Sequence, residues 1–178
     1  MEYEVRHMSE ADWPAVRRIY QLGMDTNRAT FQTECPPWEE WNRSHLAPCR
    51  LVIVKNGAVV GWTALTAVSD RCVYAGVAAT SIYMDPAAQG QGAGTQLLRA
   101  LILESEEQGF WTLQSGIFED NLASIRLHER CGFRMVGYRE RIGRDQFGLW
   151  RNTVLMERRS KSERFSGECS RSECMNDR

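Results

Sequence analysis

The run Gln89-Gly90-Gln91-Gly92-Ala93-Gly94-Thr95 stands between an apolar, strand-like stretch, Thr80-Ser81-Ile82-Tyr83-Met84, and a helical one from Gln96 to Glu107. A strand, a glycine-rich turn and a helix in that order have the layout of a phosphate cradle. Glycine lets backbone N–H groups turn toward an anion, and the helix start adds the positive end of its dipole. The pattern predicts a phosphate-bearing cofactor. Two nucleotide motifs are excluded. A Walker loop ends in Gly-Lys-Ser/Thr, and here no lysine stands before Thr95. A dinucleotide fingerprint spaces its glycines G-x-G-x-x-G, whereas Gly90, Gly92 and Gly94 alternate, with no acidic residue closing a second strand about 20 residues on. By itself the turn also fits a plain flexible connection.

The rest of the chain places this unit in an α/β context. Tyr3 to Met8 reads as a strand, Ser9 as an N-cap, and Asp12 suits the first turn of the helix that follows. Trp13, Val16 and Tyr20 fall at helical spacing and predict a face packed into the core. Residues 36–46 read as a short second helix opened by proline. Leu51–Val54 and Val59–Val68 flank Asn56-Gly57, a hairpin signal. Arg71–Met84 reads as one long central strand. A helix over 96–107, a strand over 110–118, a helix over 121–131 ended by Gly132, and strands over 133–141 and 149–157 follow. The order β-α-α-β-β-β-α-β-α-β-β predicts a mixed central sheet with helices on both faces. Three consecutive strands before the glycine turn argue against a doubly wound fold. From residue 159 to 178 the sequence turns serine-rich and mixed in charge, which predicts a disordered tail after a single domain over 1–158.

A net charge of −1 gives no basic footprint for nucleic acid. No apolar run approaches a membrane span and no signal peptide opens the chain, so the cytoplasm is the expected location. The six cysteines (35, 49, 72, 131, 169, 174) form no C-x-x-C pair, and the three histidines (7, 45, 128) are scattered. Free thiols and no metal site are expected.

Several motifs together carry a resemblance. Gln89-x-x-Gly92-x-Gly94 resembles the Q/R-x-x-G-x-G/A signature of the GCN5-related N-acetyltransferases (GNAT). Asn121-x-x-Ser124 and Leu127-His128-Glu129-x-x-Gly132-Phe133 resemble that family's next segment. Ala29 to Glu34, Arg71 with Tyr74, Ile82-Tyr83-Met84 and Gly148 to Asn152 are similar to its phosphinothricin acetyltransferase-like branch. The branch usually has histidine and aspartate where this chain has Arg151 and Asn152. The resemblance covers residues 3 to about 157 and implies the GNAT fold, acetyl-CoA as co-substrate and a homodimer. It also implies acetylation of a small-molecule amine such as phosphinothricin or methionine sulfoximine or sulfone.

By the same resemblance, backbone groups of Ile82, Tyr83 and Met84 hold the pantetheine arm, and Tyr83 belongs to the catalytic centre through the oxyanion donor. Gln89, Gly90, Gln91, Gly92, Ala93, Gly94 and Thr95 surround the diphosphate, and Asn121 and Ser124 border the arm. Asn121 reads equally well as a helix N-cap. His128 occupies the place of a tyrosine that protonates the departing thiolate in many members; read alone, it is a buried core histidine. Phe31, Arg71, Tyr74, Ala79 and Trp150 fall on the acceptor side, Arg71 being also readable as a solvated turn residue.

One position departs from the branch. A glutamate that usually takes the proton from the amine is Ala79 here. Three alternatives remain open. Ordered water and backbone carbonyls serve, at a cost of about 2–3 kcal/mol for an amine that is about 1% neutral at pH 7. Another carboxylate, with Glu34 as the candidate, replaces it. Or the chain is a weakened acyl-CoA-binding module. The first is the preferred expectation. Acetylation of a protein N-terminus or lysine is a further alternative.

Overall fold

The computed structural model describes residues 3–166. Its elements are β1 (Tyr3–His7), α1 (Trp13–Asp25), α2 (Trp38–Ser44), β2 (Leu51–Lys55), β3 (Ala58–Ala67), β4 (Val77–Met84), α3 (Ala93–Glu107), β5 (Thr112–Phe118), α4 (Leu122–Arg130), β6 (Arg134–Arg144) and β7 (Trp150–Arg159). The strands form one sheet in the order β1-β2-β3-β4-β5-β7-β6. Every neighbouring pair is antiparallel except β4 and β5.

Side chains alternate across the sheet and divide the interior into two cores. Leu51 and Ile53 of β2 join Leu97, Leu98 and Leu101 of α3, Leu113 of β5 and Met156 of β7 on one face. Val52 and Val54 join Val16, Ile19 and Met24 of α1, Trp41 of α2 and Trp62 of β3 on the other. The aromatic stripe of the first helix therefore packs as core. At the β2–β3 hairpin Asn56 and Gly57 both take positive φ, 51° and 78°, matching the strand twist.

The central strand begins later than the sequence predicts. Residues 71–75 close a tight turn, with Tyr74 N–H donating to Arg71 O and Ala75 N–H to Cys72 O, and β4 starts only at Val77. Of the segment read as a tail, residues 159–166 continue from the sheet. Ser160 N–H donates to Trp111 O, and Phe165 lies against the Trp111 ring. Residues 167–178, with Cys169 and Cys174, lie outside the described residues. Cys35, Cys49, Cys72 and Cys131 are free thiols. No described helix is long and apolar enough to cross a membrane.

The start of α1 is fixed by charge. Asp12 accepts from Ser9 N–H at 2.8 Å and from both terminal nitrogens of Arg6 at 2.8 and 2.7 Å. The Arg6 hydrogen bonds hold its carboxyl down at about 2. An unfolded aspartate titrates near about 4, so this stabilisation is complete above about pH 4 and is lost as pH falls toward about 2. Asp12→Ala is expected to lower stability by about 2 kcal/mol at pH 7. In urea denaturation the gap between variant and parent narrows as the pH is lowered through that window.

Candidate active site

The site lies where the sheet opens. β4 and β5 pair over three residues only, from Val77↔Thr112 to Ala79↔Gln114. The Thr80 hydroxyl then donates to Gln114 O at 3.3 Å, and the strands part. From there β4 runs on to Met84 with no strand along that edge, while β5 stays paired with β7 as far as Phe118. Along Thr80–Met84 the backbone groups of alternate residues, those that do not point at β3, are thus left for a ligand to pair with.

Two cavities flank this edge. One, of about 600 Å³, is bordered by Met84, Gln89, Gly90, Gly92, Gly94 and Thr95, with Arg28, Arg126 and Arg130 at its wall. Gly90 and Gly92 take φ of +74° and +85°, and an added Cβ at either meets nothing within 4 Å. Backbone conformation, then, is what requires glycine there, and the mouth of the turn stays open. The first N–H groups of α3 have no intrahelical acceptor. The turn itself is braced from below. Gln91 Oε1 accepts from Tyr3 Oη at 2.9 Å and Lys55 Nζ at 2.8 Å, and Asp85 binds Arg18 at 2.6 Å and Ala87 N–H at 2.9 Å. Gln91 and Ala93 therefore act from outside the cavity wall. The arrangement suits an extended ligand carrying phosphates.

The second cavity, of about 550 Å³, shares Ala29, Ile82, Tyr83, Asn121 and Ser124 with the first. Phe31 closes one side, its ring edge-on to Phe118 at 4.7 Å. Tyr83 stacks on Trp62 at 5.0 Å, and burial pushes its hydroxyl well above the usual phenol range. Tyr20, raised to about 12 by burial, donates to Gln32. α1 crosses Tyr83 at Gly23, where a Cβ would stand 2.6 Å from the ring.

His128 is buried in the wall beneath the opened strands. Its Nδ1 lies 2.8 Å from Ser124 O, an atom that only accepts, so Nδ1 carries the proton. Nε2 is then a lone-pair nitrogen, and it has no hydrogen-bond partner among the described residues. Desolvation lowers the pKa of the ring, which is neutral at pH 7. Asn121 takes one of its two readings, the helix N-cap. Its Oδ1 caps α4 through Ser124 N–H at 3.2 Å, and its Nδ2 donates to Arg28 O at 3.1 Å.

Other sequence candidates fall elsewhere. Arg71 and Tyr74 form an exposed pair, guanidinium over ring at 5.6 Å, and neither borders the cavities. Trp150 is exposed beneath Arg144 at 4.4 Å. Glu34 is exposed and also outside the wall, and among the described residues no Asp or Glu lines either cavity. Ala79 faces the same side of β4 as Ser81 and Tyr83, next to Thr66 of β3. His45, Ser44, Thr66 and Arg139 line the second cavity without having been singled out from sequence. The spacing Trp41-x-x-x-His45 was the one available signal, since it sets the imidazole one helical turn after a core tryptophan.

Arg151 and Asn152 brace the far wall. Arg151 donates to Asp120 at 2.9 Å, to the buried Asp145 at 3.3 Å and to Asn27 O at 2.8 Å. Asn27 Nδ2 also donates to Asp145, at 2.9 Å. Asn152 bridges Arg141 N–H and Glu119. These contacts tie the β6–β7 hairpin to the segment that carries Phe31.

The acetyltransferase (GNAT) family model matches residues 13–133. Phosphinothricin N-acetyltransferase of Alcaligenes faecalis is 34% identical over 161 residues, covering 86% of this chain and 81% of that protein. The L-methionine sulfoximine/L-methionine sulfone acetyltransferase of Salmonella typhimurium is 31% identical over 162 residues, covering 86% and 92%. Among solved structures, a phosphinothricin acetyltransferase from Sinorhizobium meliloti in complex with AcCoA superposes with a TM-score of 0.84 at 26% identity, covering 96% of this chain and 95% of that one. A ribosomal-protein-alanine N-acetyltransferase from Brucella melitensis gives a TM-score of 0.81 at 30% identity, covering 88% and 99%.

Arg151→Ala leaves Asp145 and Asp120 with one cation fewer and unties Asn27 O, and is expected to lower the melting temperature. Thermal denaturation of the variant measures it. Arg151→Lys, which keeps the charge but not the fork, is expected to recover only part of the loss.

Proposed function

The chain belongs to the GNAT acetyltransferase family, and from that premise we propose that it moves the acetyl group of acetyl-CoA onto the amino group of a small amino-acid-like acceptor. The observation that carries this reading is the meeting of two cavities at Ile82 and Tyr83, on the unpaired edge of β4. The glycine turn, with Arg28, Arg126 and Arg130 near it, suits the phosphates of acetyl-CoA. Ile82, Tyr83 and Met84 offer backbone groups to the pantetheine arm and a donor to the thioester oxygen. Asn121 and Ser124 stand where arm and acceptor meet. The second cavity receives the acceptor against Phe31 and Tyr83, with Arg139 as a cation for its acidic group.

His128 serves as a relay in this reading. Its Nε2 lone pair takes a proton from the attacking nitrogen as the C–N bond forms and gives it to the sulfur as the C–S bond breaks. Arg71, Tyr74 and Trp150 enter only in a homodimer, as residues offered to a neighbouring copy. The apolar side chains exposed on the β6 edge, Met135, Val136, Tyr138 and Ile142, support that pairing.

The test is acetyl-CoA turnover, followed by thiol release, across phosphinothricin, methionine sulfoximine and sulfone, polyamines and peptides, with Ala79→Glu alongside. Turnover of an amino-acid analogue by the parent protein is the expected outcome. Turnover of peptides alone moves the acceptor to a protein N-terminus. Acetyl-CoA binding without turnover in either protein supports the acyl-CoA-binding module that Ala79 suggests. Gly92→Ala forces a left-handed alanine into the turn, at about 1–2 kcal/mol. It is expected to raise the KM for acetyl-CoA about tenfold and to leave the acceptor KM unchanged.

A further inference from the structure

We propose that His45 is the base that takes the proton from the acceptor's ammonium group, in place of the carboxylate absent at Ala79; this rests on the acetyl-transfer reading above. The placement follows from the sheet. Leu46 N–H donates to Leu65 O at 2.8 Å, which sets His45 against the end of β3. The next residue, Thr66, pairs with Ala79 across the β3–β4 ladder, and His45, Ser44 and Thr66 line the acceptor cavity together with Ser81. The imidazole therefore comes from α2 to the face of β4 from which the missing side chain would have projected.

Its orientation is fixed twice. The ring stacks on Trp41, centroids 4.2 Å apart and planes 18° from parallel. Nδ1 lies 2.8 Å from Trp41 O, a pure acceptor, so Nδ1 carries the proton and Nε2 holds the lone pair. Arg50 secures the segment from behind, donating to His45 O at 2.7 Å and Leu46 O at 2.7 Å while lying over the Trp41 ring. The ionisable groups around it are Arg50 at the start of β2, Tyr20 of α1, Tyr83 of β4, His128 of α4 and Arg139 of β6. Tyr20 and Tyr83 stay protonated, and among the described residues no carboxylate lines the cavity to hold a proton on the ring. Burial lowers the pKa of His45, helped by Arg50 and opposed by the hydrogen bond to Trp41 O, so the ring is neutral and ready to accept at pH 7.

The proton balance closes. An ammonium nitrogen must lose two protons to become an amide N–H. His45 Nε2 takes the first, freeing the lone pair that attacks the thioester carbon, and releases it to solvent after turnover. The second goes through His128 to the sulfur as the C–S bond breaks, giving the amide and the free thiol.

The experiment compares the parent with His45→Asn, whose carboxamide keeps a donor to Trp41 O and removes Nε2, and with His45→Ala assayed with and without added imidazole. Each is assayed with two acceptors: an ordinary α-amino acid analogue and one whose ammonium is acidic enough to be neutral at pH 7. The parent kcat/KM for the ordinary acceptor is expected to level off below about pH 6.5 and stay flat toward about pH 9. In His45→Asn it is expected to fall about 100-fold at pH 7 and then rise tenfold per pH unit, while the neutral acceptor is nearly unaffected. Imidazole is expected to restore part of the His45→Ala rate. Equal loss with both acceptors shows a structural role and overturns the proposal, as does a variant rate within about threefold of the parent, well short of what a general base supplies. A silent parent activated by Ala79→Glu overturns it too, and leaves the acetyl-transfer reading standing. Silence in both proteins overturns that reading and this one with it.

Discussion

The parting of β4 from β5 is the constraint on which the rest of the molecule depends. A sheet ladder satisfies backbone donors and acceptors, and a strand edge inside a fold is costly unless something takes their place. Here the ladder stops after Ala79↔Gln114, and five residues of β4 run on beside an opening. The two cavities meet there, the glycine turn follows directly at the strand's end, and His128 forms the floor beneath. Both cores serve this edge. α3 packs under it through Leu97, Leu98 and Leu101, and α1 crosses its other face at Gly23 and Tyr20. The same strand edge thus borders both cavities.

The two cavity histidines share one device. In each, Nδ1 donates to the carbonyl four residues earlier, Trp41 O for His45 and Ser124 O for His128. Each ring is thereby held in the tautomer that leaves Nε2 as an acceptor. Burial keeps both neutral, and among the described residues no acidic side chain in the cavity walls opposes it. Among the described residues the cavity walls carry imidazoles and no carboxylate, and the orientation of each imidazole is set by the backbone of its own segment.

The same economy appears in the supports. Arg151 and Asn152 stand where the related branch usually has histidine and aspartate, and both are engaged in the wall rather than in the cavity. Arg151 converts two acidic groups and one carbonyl into a single brace behind Phe31. The cofactor turn is held by Tyr3, Lys55 and Arg18, residues from three separate elements that never touch the cavity. Distant side chains hold the backbone of this turn in place.

The order of strands and helices, the hairpin at Asn56-Gly57 and the glycine turn were legible in the sequence, because each depends on local periodicity or on a residue that only glycine or asparagine replaces well. Gln89, Gly90, Gly92, Gly94 and Thr95 of that turn border the first cavity, contiguous enough to turn N–H groups toward one anion. The start of β4 was misread because Arg71 to Gly76 is apolar enough for a strand, and only its turn hydrogen bonds decide otherwise. Acceptor-side residues were harder. Arg71, Tyr74 and Trp150 look functional in sequence and lie outside the chain's own cavities, while His45, Thr66 and Arg139 look ordinary and line one. An acceptor cavity is assembled from residues far apart in the chain, on α2, β3, β4 and β6, and no spacing along the sequence encodes which faces the sheet will bring together. The sequence alone determined the glycine turn between a strand and a helix, because that conformation is local. Tertiary structure alone decided which side chains face the opening and which nitrogen of each histidine holds the proton, because those depend on pairing register and on the carbonyl that each ring meets.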